Sequence, residues 1–103
     1  MLQGTVDMLV LRVLVAGPLH GYGIGLRLAE LSGDLISIEE GSLYVCLYRM
    51  EKKGWIRSEQ RLSEANRRAR YYSLTNTGIV QFDAEQQRWH QFERAVSRIL
   101  SEA

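Results

Sequence analysis

The chain has 103 residues and a mass of 11.8 kDa, which corresponds to one domain with a single core. Its net charge is only +1, so bulk charge does not indicate a protein held on nucleic acid or on a membrane. An apolar fraction of 46% with one proline favours a folded chain. The single Cys46 excludes an internal disulfide, and no apolar stretch approaches the ~18 residues of a membrane span. We therefore expect a cytoplasmic protein without a membrane partner.

The charge is distributed unevenly along the chain. Residues 49–70 contain eight basic and three acidic side chains, a local net charge of +5, whereas the rest of the chain carries −4. A concentrated positive field attracts phosphate even when the whole molecule is nearly neutral. A chance cluster on a solvated surface is the alternative that composition leaves open.

Apolar residues at helical spacing predict two helices in the first third of the chain. The apolar stripe of the first helix consists of Val6, Leu9, Val10, Val13 and Leu14. Gly17-Pro18 ends this helix, and a tight turn at residues 20–23 leads into the next one. The stripe of the second helix consists of Ile24, Leu28 and Leu31. Ser32-Gly33 then has the pattern of a C-cap.

A third helix is predicted to start near Ser37, because Ser37 and Glu40 fit a capping box. Gly54 is placed to end it in the left-handed conformation. Its buried stripe consists of Leu43, Leu47 and Met50. The opposite face carries Gly41, Val45, Tyr48, Arg49 and Lys52, flanked by Ser42 and Tyr44. This helix therefore presents polar, aromatic and basic groups to solvent.

Two strands are predicted after the third helix, at Trp55–Leu62 and Arg70–Leu74. The polar segment 63–69 between them contains Arg67 and Arg68. The predicted structure is a hairpin with a basic tip that extends away from the core.

Thr75 is the expected N-cap of a final helix that runs to about Leu100. Two columns of apolar side chains with a seven-residue repeat follow this helix: Phe82, Trp89 and Val96 in one, Phe92 and Ile99 in the other. Such a pattern is an a/d seam, although Glu85 interrupts the second column. Because a small core cannot cover a helix of this length, we expect a second copy of the chain to pack on the seam.

The order of three helices, a basic hairpin and a long helix predicts a mainly α (α+β) fold, a winged helix-turn-helix with a two-stranded wing and a long C-terminal dimerisation helix. Residues 1–74 would form the DNA-binding domain and residues 75–103 the dimerisation helix, within one structural unit. In such folds the third helix enters the major groove of double-stranded DNA and the wing lies on flanking phosphates. Winged helices also serve as protein–protein modules, so an interaction module without DNA binding is the alternative.

Several segments resemble the signatures of one family, the PadR transcriptional regulators. Residues 21–23 (GYG) resemble "GYeI", and residues 41–44 (GSLY) resemble "GtLYp". Residues 47–56 (LYRMEKKGWI) resemble "LhrLEeeGli", and residues 68–78 (RARYYSLTNTG) resemble "rrkYYrLTeaG". Trp89 stands where many members have a tryptophan in the C-terminal helix.

The resemblance covers nearly the whole chain and is closest to the compact subfamily with one helix after the wing. It implies a homodimer that binds a palindromic operator, usually as a repressor, with the dimer contact on the C-terminal helix. One departure is Val45, which stands where the family has a proline. The sequence therefore does not determine whether the third helix begins with the geometry that the family has.

The candidate DNA-binding residues lie on the outward face of the third helix and on the hairpin: Ser42, Tyr44, Tyr48, Arg49, Lys52, Arg67, Arg68 and Arg70. The ring of Tyr44 contacts DNA, as the resemblance suggests, or packs along the edge of the third helix. Arg49 and Lys52 contact phosphate or are solvated, and a further alternative for Arg49 is an ion pair with neighbours of Lys53.

The candidate dimer residues are Phe82, Trp89, Phe92, Val96 and Ile99. Trp89 has two further interpretations, since it covers its own core or stacks on a small aromatic effector, as in the multidrug-sensing members that this helix resembles. We predict no cofactor, no metal site and no enzymatic activity, because His20 and His90 are isolated and no catalytic motif is present. A redox switch at Cys46 has little support.

Overall fold

The computed structural model describes residues 3–62 and 64–102. The elements in chain order are α1 (Gln3–Val15), β1 (Leu19–His20), α2 (Gly21–Leu31), α3 (Glu40–Lys52), β2 (Ile56–Leu62), β3 (Arg68–Leu74) and α4 (Asn76–Ser101). Ser63 of the predicted hairpin loop lies outside the described residues. So do residues 1 and 2 of the predicted DNA-binding domain and residue 103 of the predicted dimerisation helix. The predicted fold class is confirmed: the protein is mainly helical, with a winged helix and a long last helix.

The sheet has three antiparallel strands in the order β1–β3–β2. Strands β2 and β3 form the predicted hairpin, but β3 begins at Arg68, which pairs with Leu62, rather than at Arg70. Strand β1 was not predicted, because two residues are too short to show alternation. Leu19 pairs with Tyr72 and thereby ties the start of α2 to the wing.

The core lies between the three helices of the first half of the chain and the inner side of the sheet. Its buried apolar residues are Met8, Val10, Leu11, Val13, Leu14, Ile24, Leu28, Leu43, Cys46, Leu47, Met50, Ile56, Tyr72 and Phe82. The predicted stripes of α1 and α3 are thus largely confirmed, with Val6 and Leu9 partly buried. Leu31 is an exception: it was predicted in the stripe of α2 but is exposed, since the helix ends there.

Helix α3 begins at Glu40, so the predicted capping box at Ser37 is wrong. The N-cap is Glu39, whose side chain makes no capping hydrogen bond. Ile38, in the segment before the helix, is partly buried and packs against the core. Val45, in place of the family proline, is the sixth residue of an uninterrupted helix.

The end of α3 is a Schellman motif, as Gly54 predicted. Gly54 has a φ of +79° and donates its N–H to Glu51 O at 3.0 Å, while Trp55 N–H donates to Met50 O at 3.1 Å. Thr75 caps α4 as predicted, with Oγ1 accepting from Gly78 N–H at 3.0 Å. These two caps fix where the wing leaves α3 and where it returns to α4.

Candidate nucleic-acid interface

The outward face of α3 combines aromatic and basic side chains. Tyr48 is 65% exposed and Val45 is 69% exposed, and Ser42 is also at the surface. The Lys52 ammonium lies 5.3 Å from the centroid of the Tyr48 ring, within the range of a cation–π contact. An ammonium group and a phenol hydroxyl therefore lie side by side on this exposed face.

Tyr44 both packs internally and reaches the surface. Its ring lies against the start of α2, since a Cβ built on Gly21 would be 2.6 Å from Tyr44 Cε1. The residue is nevertheless 42% exposed. The contact with Gly21 sets the direction of the ring, and the exposed edge is left open to a partner.

Arg49 does not belong to the outward face on which it was predicted. Its Nη2 donates to Asp7 Oδ1 and forms an ion pair with that carboxylate on α1. Its side chain is three-quarters buried, and the Asp7 hydrogen bond raises the pKa of the guanidinium further. The prediction failed because the partner of Arg49 is 42 residues away in sequence.

The wing holds its basic residues in different settings. Asn66 turns the hairpin loop with a φ of +60°, a conformation that asparagine tolerates, and Arg67 follows it. Arg68 is the first residue of β3, opposite Leu62. Arg70 lies within β3, two residues further along the strand than Arg68.

A hydrogen-bonded chain links the wing to α3. Arg70 Nη1 donates to Ser58 Oγ at 2.9 Å, and Ser58 Oγ donates to Glu51 Oε2 at 2.7 Å. The sequence did not reveal these hydrogen bonds, because Ser58 belongs to no motif and the signature that contains Glu51 does not indicate its partner. The hydrogen-bonded chain orients Arg70 relative to the C-terminal part of α3.

The outer face of the wing is stabilised by a separate aromatic cluster. His20 is the N-cap of α2, with Nδ1 accepting from Gly23 N–H at 2.9 Å. The ring of His20 meets Tyr71 edge to face at 5.3 Å, and the Arg61 guanidinium lies 4.5 Å from the centroid of Tyr71. This cluster holds β1, the start of α2 and the wing together.

Helix α4 has a packed first part and an exposed second part. Phe82, predicted in the dimer seam, is only 9% exposed and belongs to the core, because the first turns of α4 pack on α1. Further along, Phe92 and Ile99 are exposed, and Val96 is half-buried. The apolar face left open is therefore the second half of the predicted seam.

Trp89 borders a cleft of about 230 Å³ between α1 and α4. Thr5 and Met8 of α1 form one wall, and Arg88 and Phe92 line the other side with Trp89. The ring centroids of Trp89 and Phe92 are 6.2 Å apart, and both side chains are partly open to solvent in a single chain.

Other kinds of site receive no support from the residues that the structure describes. None of the helices in residues 3–62 and 64–102 is long and apolar enough to cross a membrane. Within the same ranges, no group of three or more histidine, cysteine, aspartate or glutamate side chains could hold a metal ion.

Solved structures of similar chains have the same fold. A PadR-like transcriptional regulator from Bacillus cereus aligns with a TM-score of 0.85 and 25% identity over 100% of this chain and 98% of that one. A transcriptional regulator from Clostridium thermocellum aligns with a TM-score of 0.84 and 29% identity over 92% of each chain.

A curated relative extends well beyond this chain. An uncharacterised 37.1 kDa protein of transposon TN4556 from Streptomyces fradiae is 35% identical over 97 residues, which are 94% of this chain but only 26% of that protein. The family model for the PadR-like transcriptional regulators matches residues 10–84. The chain therefore belongs to the PadR-like family of transcriptional regulators.

Proposed function

We propose that the protein is a sequence-specific regulator that binds double-stranded DNA as a homodimer, on a palindromic operator, and represses transcription. Residues 1–74 act as the DNA-binding module and residues 75–103 as the dimerisation helix, within one structural unit. The observation that carries the proposal is the open face of α3, where Tyr48 and Lys52 project beside a basic wing.

Each side chain at this surface has a role that fits its chemistry. Ser42, Tyr44 and Tyr48 offer hydroxyls to base edges or phosphates from α3, and Lys52 neutralises a phosphate. From the wing, Arg67 and Arg68 bind DNA phosphates beside the major groove, and Arg70 contacts the DNA backbone at a point nearer to α3. Arg49 is left out of the proposed contact set, because its guanidinium is engaged with Asp7.

The exposed second half of α4 supplies the dimer contact in this proposal. Trp89, Phe92, Val96 and Ile99 bring the apolar area, and α1 adds the wall that faces the cleft. In a two-fold symmetric dimer the two copies of α3 are related by the symmetry axis, so they contact two equivalent half-sites. An operator with two such half-sites is palindromic.

Operator selection from random DNA with the purified protein tests the proposal, followed by binding measurements over a series of salt concentrations. We expect an enriched inverted repeat and an affinity that falls steeply with salt. Tyr48→Ala should relax sequence preference, whereas Lys52→Gln should weaken binding to all sequences alike. A dimer that binds no DNA at low salt would instead identify an interaction module.

We also propose that the cleft beside Trp89 takes a small aromatic effector that releases the DNA. Its walls combine the faces of Trp89 and Phe92 with the thioether of Met8, which suits stacking on a flat ring. Titration of planar aromatic compounds into Trp55→Phe protein leaves Trp89 as the only tryptophan emitter. Absence of quenching across a diverse panel would reject the effector site.

A further inference from the structure

Asp7 is a charged residue inside an apolar core. It is only 4% exposed, and it lies on the same side of α1 as the buried Val10, Leu11 and Leu14. A leucine at this position would bury apolar surface at no electrostatic cost, whereas a carboxylate in a core is unfavourable unless it is paired. The presence of Asp7 therefore calls for a reason other than packing.

Both side-chain partners of Asp7 lie on α3. Cys46 Sγ donates to Asp7 Oδ1 at 3.2 Å, and Arg49 Nη2 donates to the same oxygen. Arg49 Nη2 also lies 3.7 Å from Cys46 Sγ, which closes the cluster. Because Cys46 and Arg49 are three residues apart, the carboxylate contacts one face of α3 at two heights and restricts its rotation as well as its position.

This cluster crosses between two helices whose backbones do not pack closely. Helix α1 packs mainly on α2 and α4, and α3 packs on α2 and β2. A polar bridge is directional, unlike apolar contacts, which tolerate sliding and rotation. Asp7 therefore adds a directional constraint between α1 and α3 to the packing of the surrounding core.

The buried stripe of α3 sets which side of the helix faces inward, and the contact of Arg49 with Asp7 adds a fixed point beside that stripe. Successive residues of a helix differ by about 100° around its axis, so holding Arg49 against α1 turns Tyr48 and Lys52 to the open surface. Release of Arg49 would leave the rotation of α3 about its axis to apolar packing alone.

We propose that Asp7, buried on α1, is a positioning residue for DNA binding: it orients α3 through Arg49 and Cys46. This inference rests on the proposed DNA-binding function of α3. Buried ion pairs contribute little net stability compared with apolar replacements of the same volume, but they specify geometry in several systems. The same role explains why Arg49, which belongs to the basic segment 49–70, points toward α1 and not toward the proposed DNA surface.

Two variants separate positioning from stability. Asp7→Asn keeps the shape and removes the charge, and the double variant Asp7→Leu with Arg49→Met replaces the pair by apolar groups and leaves the net charge unchanged. Val13→Ala is the matched control, because it removes core volume from α1 at a buried site outside the cluster. All proteins are compared at a temperature at which circular dichroism shows them fully folded.

We expect Asp7→Asn and the double variant to bind the selected operator about tenfold more weakly, or worse, while Val13→Ala binds like the wild type. The slope of affinity against salt should not decrease in Asp7→Asn, because no phosphate contact is removed. Wild-type affinity in a folded double variant would overturn the inference, as would an equal loss in Val13→Ala.

Hydrogen exchange supplies a readout that does not depend on DNA. In Asp7→Asn, the amides of α3 around residues 46–50 should lose more protection, relative to the wild type, than the amides of α2. In Val13→Ala the loss of protection should be more even across the helices. If the wild type binds no DNA, the proposed function fails, and exchange still tests whether Asp7 orders α3. Wild-type exchange rates for α3 in Asp7→Asn would reject the positioning role.

Discussion

Gly78 lies directly against the carbonyl group of Trp55: a Cβ built on Gly78 would be 1.9 Å from that oxygen. The same carbonyl accepts the N–H of Thr75 at 3.1 Å, and Thr75 Oγ1 donates to Gly54 O at 2.5 Å. The first turn of α4 is therefore seated on the turn that follows α3, at Gly54 and Trp55. This junction sets the direction in which α4 leaves the winged helix.

The first prediction concerns this junction. Gly78→Ala should lower the free energy of unfolding by about 3 kcal/mol, since a methyl group cannot fit against a backbone carbonyl without shifting α4. Urea denaturation measures the change. Gly25→Ala is the matched control: its Cβ would lie 3.7 Å from Leu43 Cδ2, an ordinary contact. That variant should be neutral or stabilised by up to ~1 kcal/mol, because alanine favours helix. Similar losses in both would refute the close approach.

The helices and hairpin were predictable because their signals are local, as with the Schellman glycine Gly54 and the N-cap Thr75. What failed depends on partners distant in the chain. Arg49 was placed outward because helical spacing does not reveal Asp7, and Phe82 was placed in the seam because its repeat does not reveal packing on α1. The sequence did contain one signal: Asp7 is a charged residue at helical spacing from the apolar Val10 and Leu14, which indicates a buried carboxylate in need of a partner.

The second prediction concerns the wing. Arg67→Gln combined with Arg68→Gln should reduce the slope of log affinity against log salt by about 0.9 for each phosphate that the protein no longer neutralises. Arg12→Gln removes the same kind of charge from an exposed position on α1, outside the proposed contact set, and should leave the slope unchanged. Fluorescence anisotropy with a labelled operator measures both. A slope that falls equally in Arg12→Gln would mean that only total charge matters.

The third prediction concerns the chain from Arg70 through Ser58 to Glu51. Ser58→Ala removes both hydrogen bonds and should cost about 1 kcal/mol of stability. It should also weaken operator binding without altering the salt slope, because Arg70 keeps its charge but loses its orientation. Binding at different salt concentrations tests this pattern. Wild-type affinity in Ser58→Ala would show that the orientation of Arg70 is irrelevant to binding.

The fourth prediction separates the two phenylalanines of α4. Phe92 is 58% exposed and Phe82 is buried, so the same substitution should have different effects. Phe82→Ala should cost about 3–5 kcal/mol of stability through a core cavity. Phe92→Ala should instead raise the dimer dissociation constant while the monomer stays folded, as measured by sedimentation equilibrium. An unchanged dissociation constant in Phe92→Ala would place the dimer contact elsewhere.

The last prediction concerns the thiol of Cys46. Burial, and then the hydrogen bond to Asp7, raise its pKa from 9.0 to about 12. At pH 7 only roughly one thiol in 10⁵ would be ionised, so iodoacetamide should alkylate the native protein slowly and the unfolded protein quickly. Rapid alkylation without unfolding would contradict the burial of the thiol and revive a redox role.

The same shift predicts a dependence of stability on pH. Between pH 9 and about 12 the unfolded thiol loses its proton while the native thiol retains it, so the free energy of unfolding falls as the pH rises through this window. Below pH 9 both states hold the proton, and this contribution is constant. Cys46→Ala lacks the group, and its stability should therefore decline less steeply at alkaline pH. Urea unfolding of both proteins across the window measures the difference, and parallel curves would mean that Cys46 ionises equally in the two states.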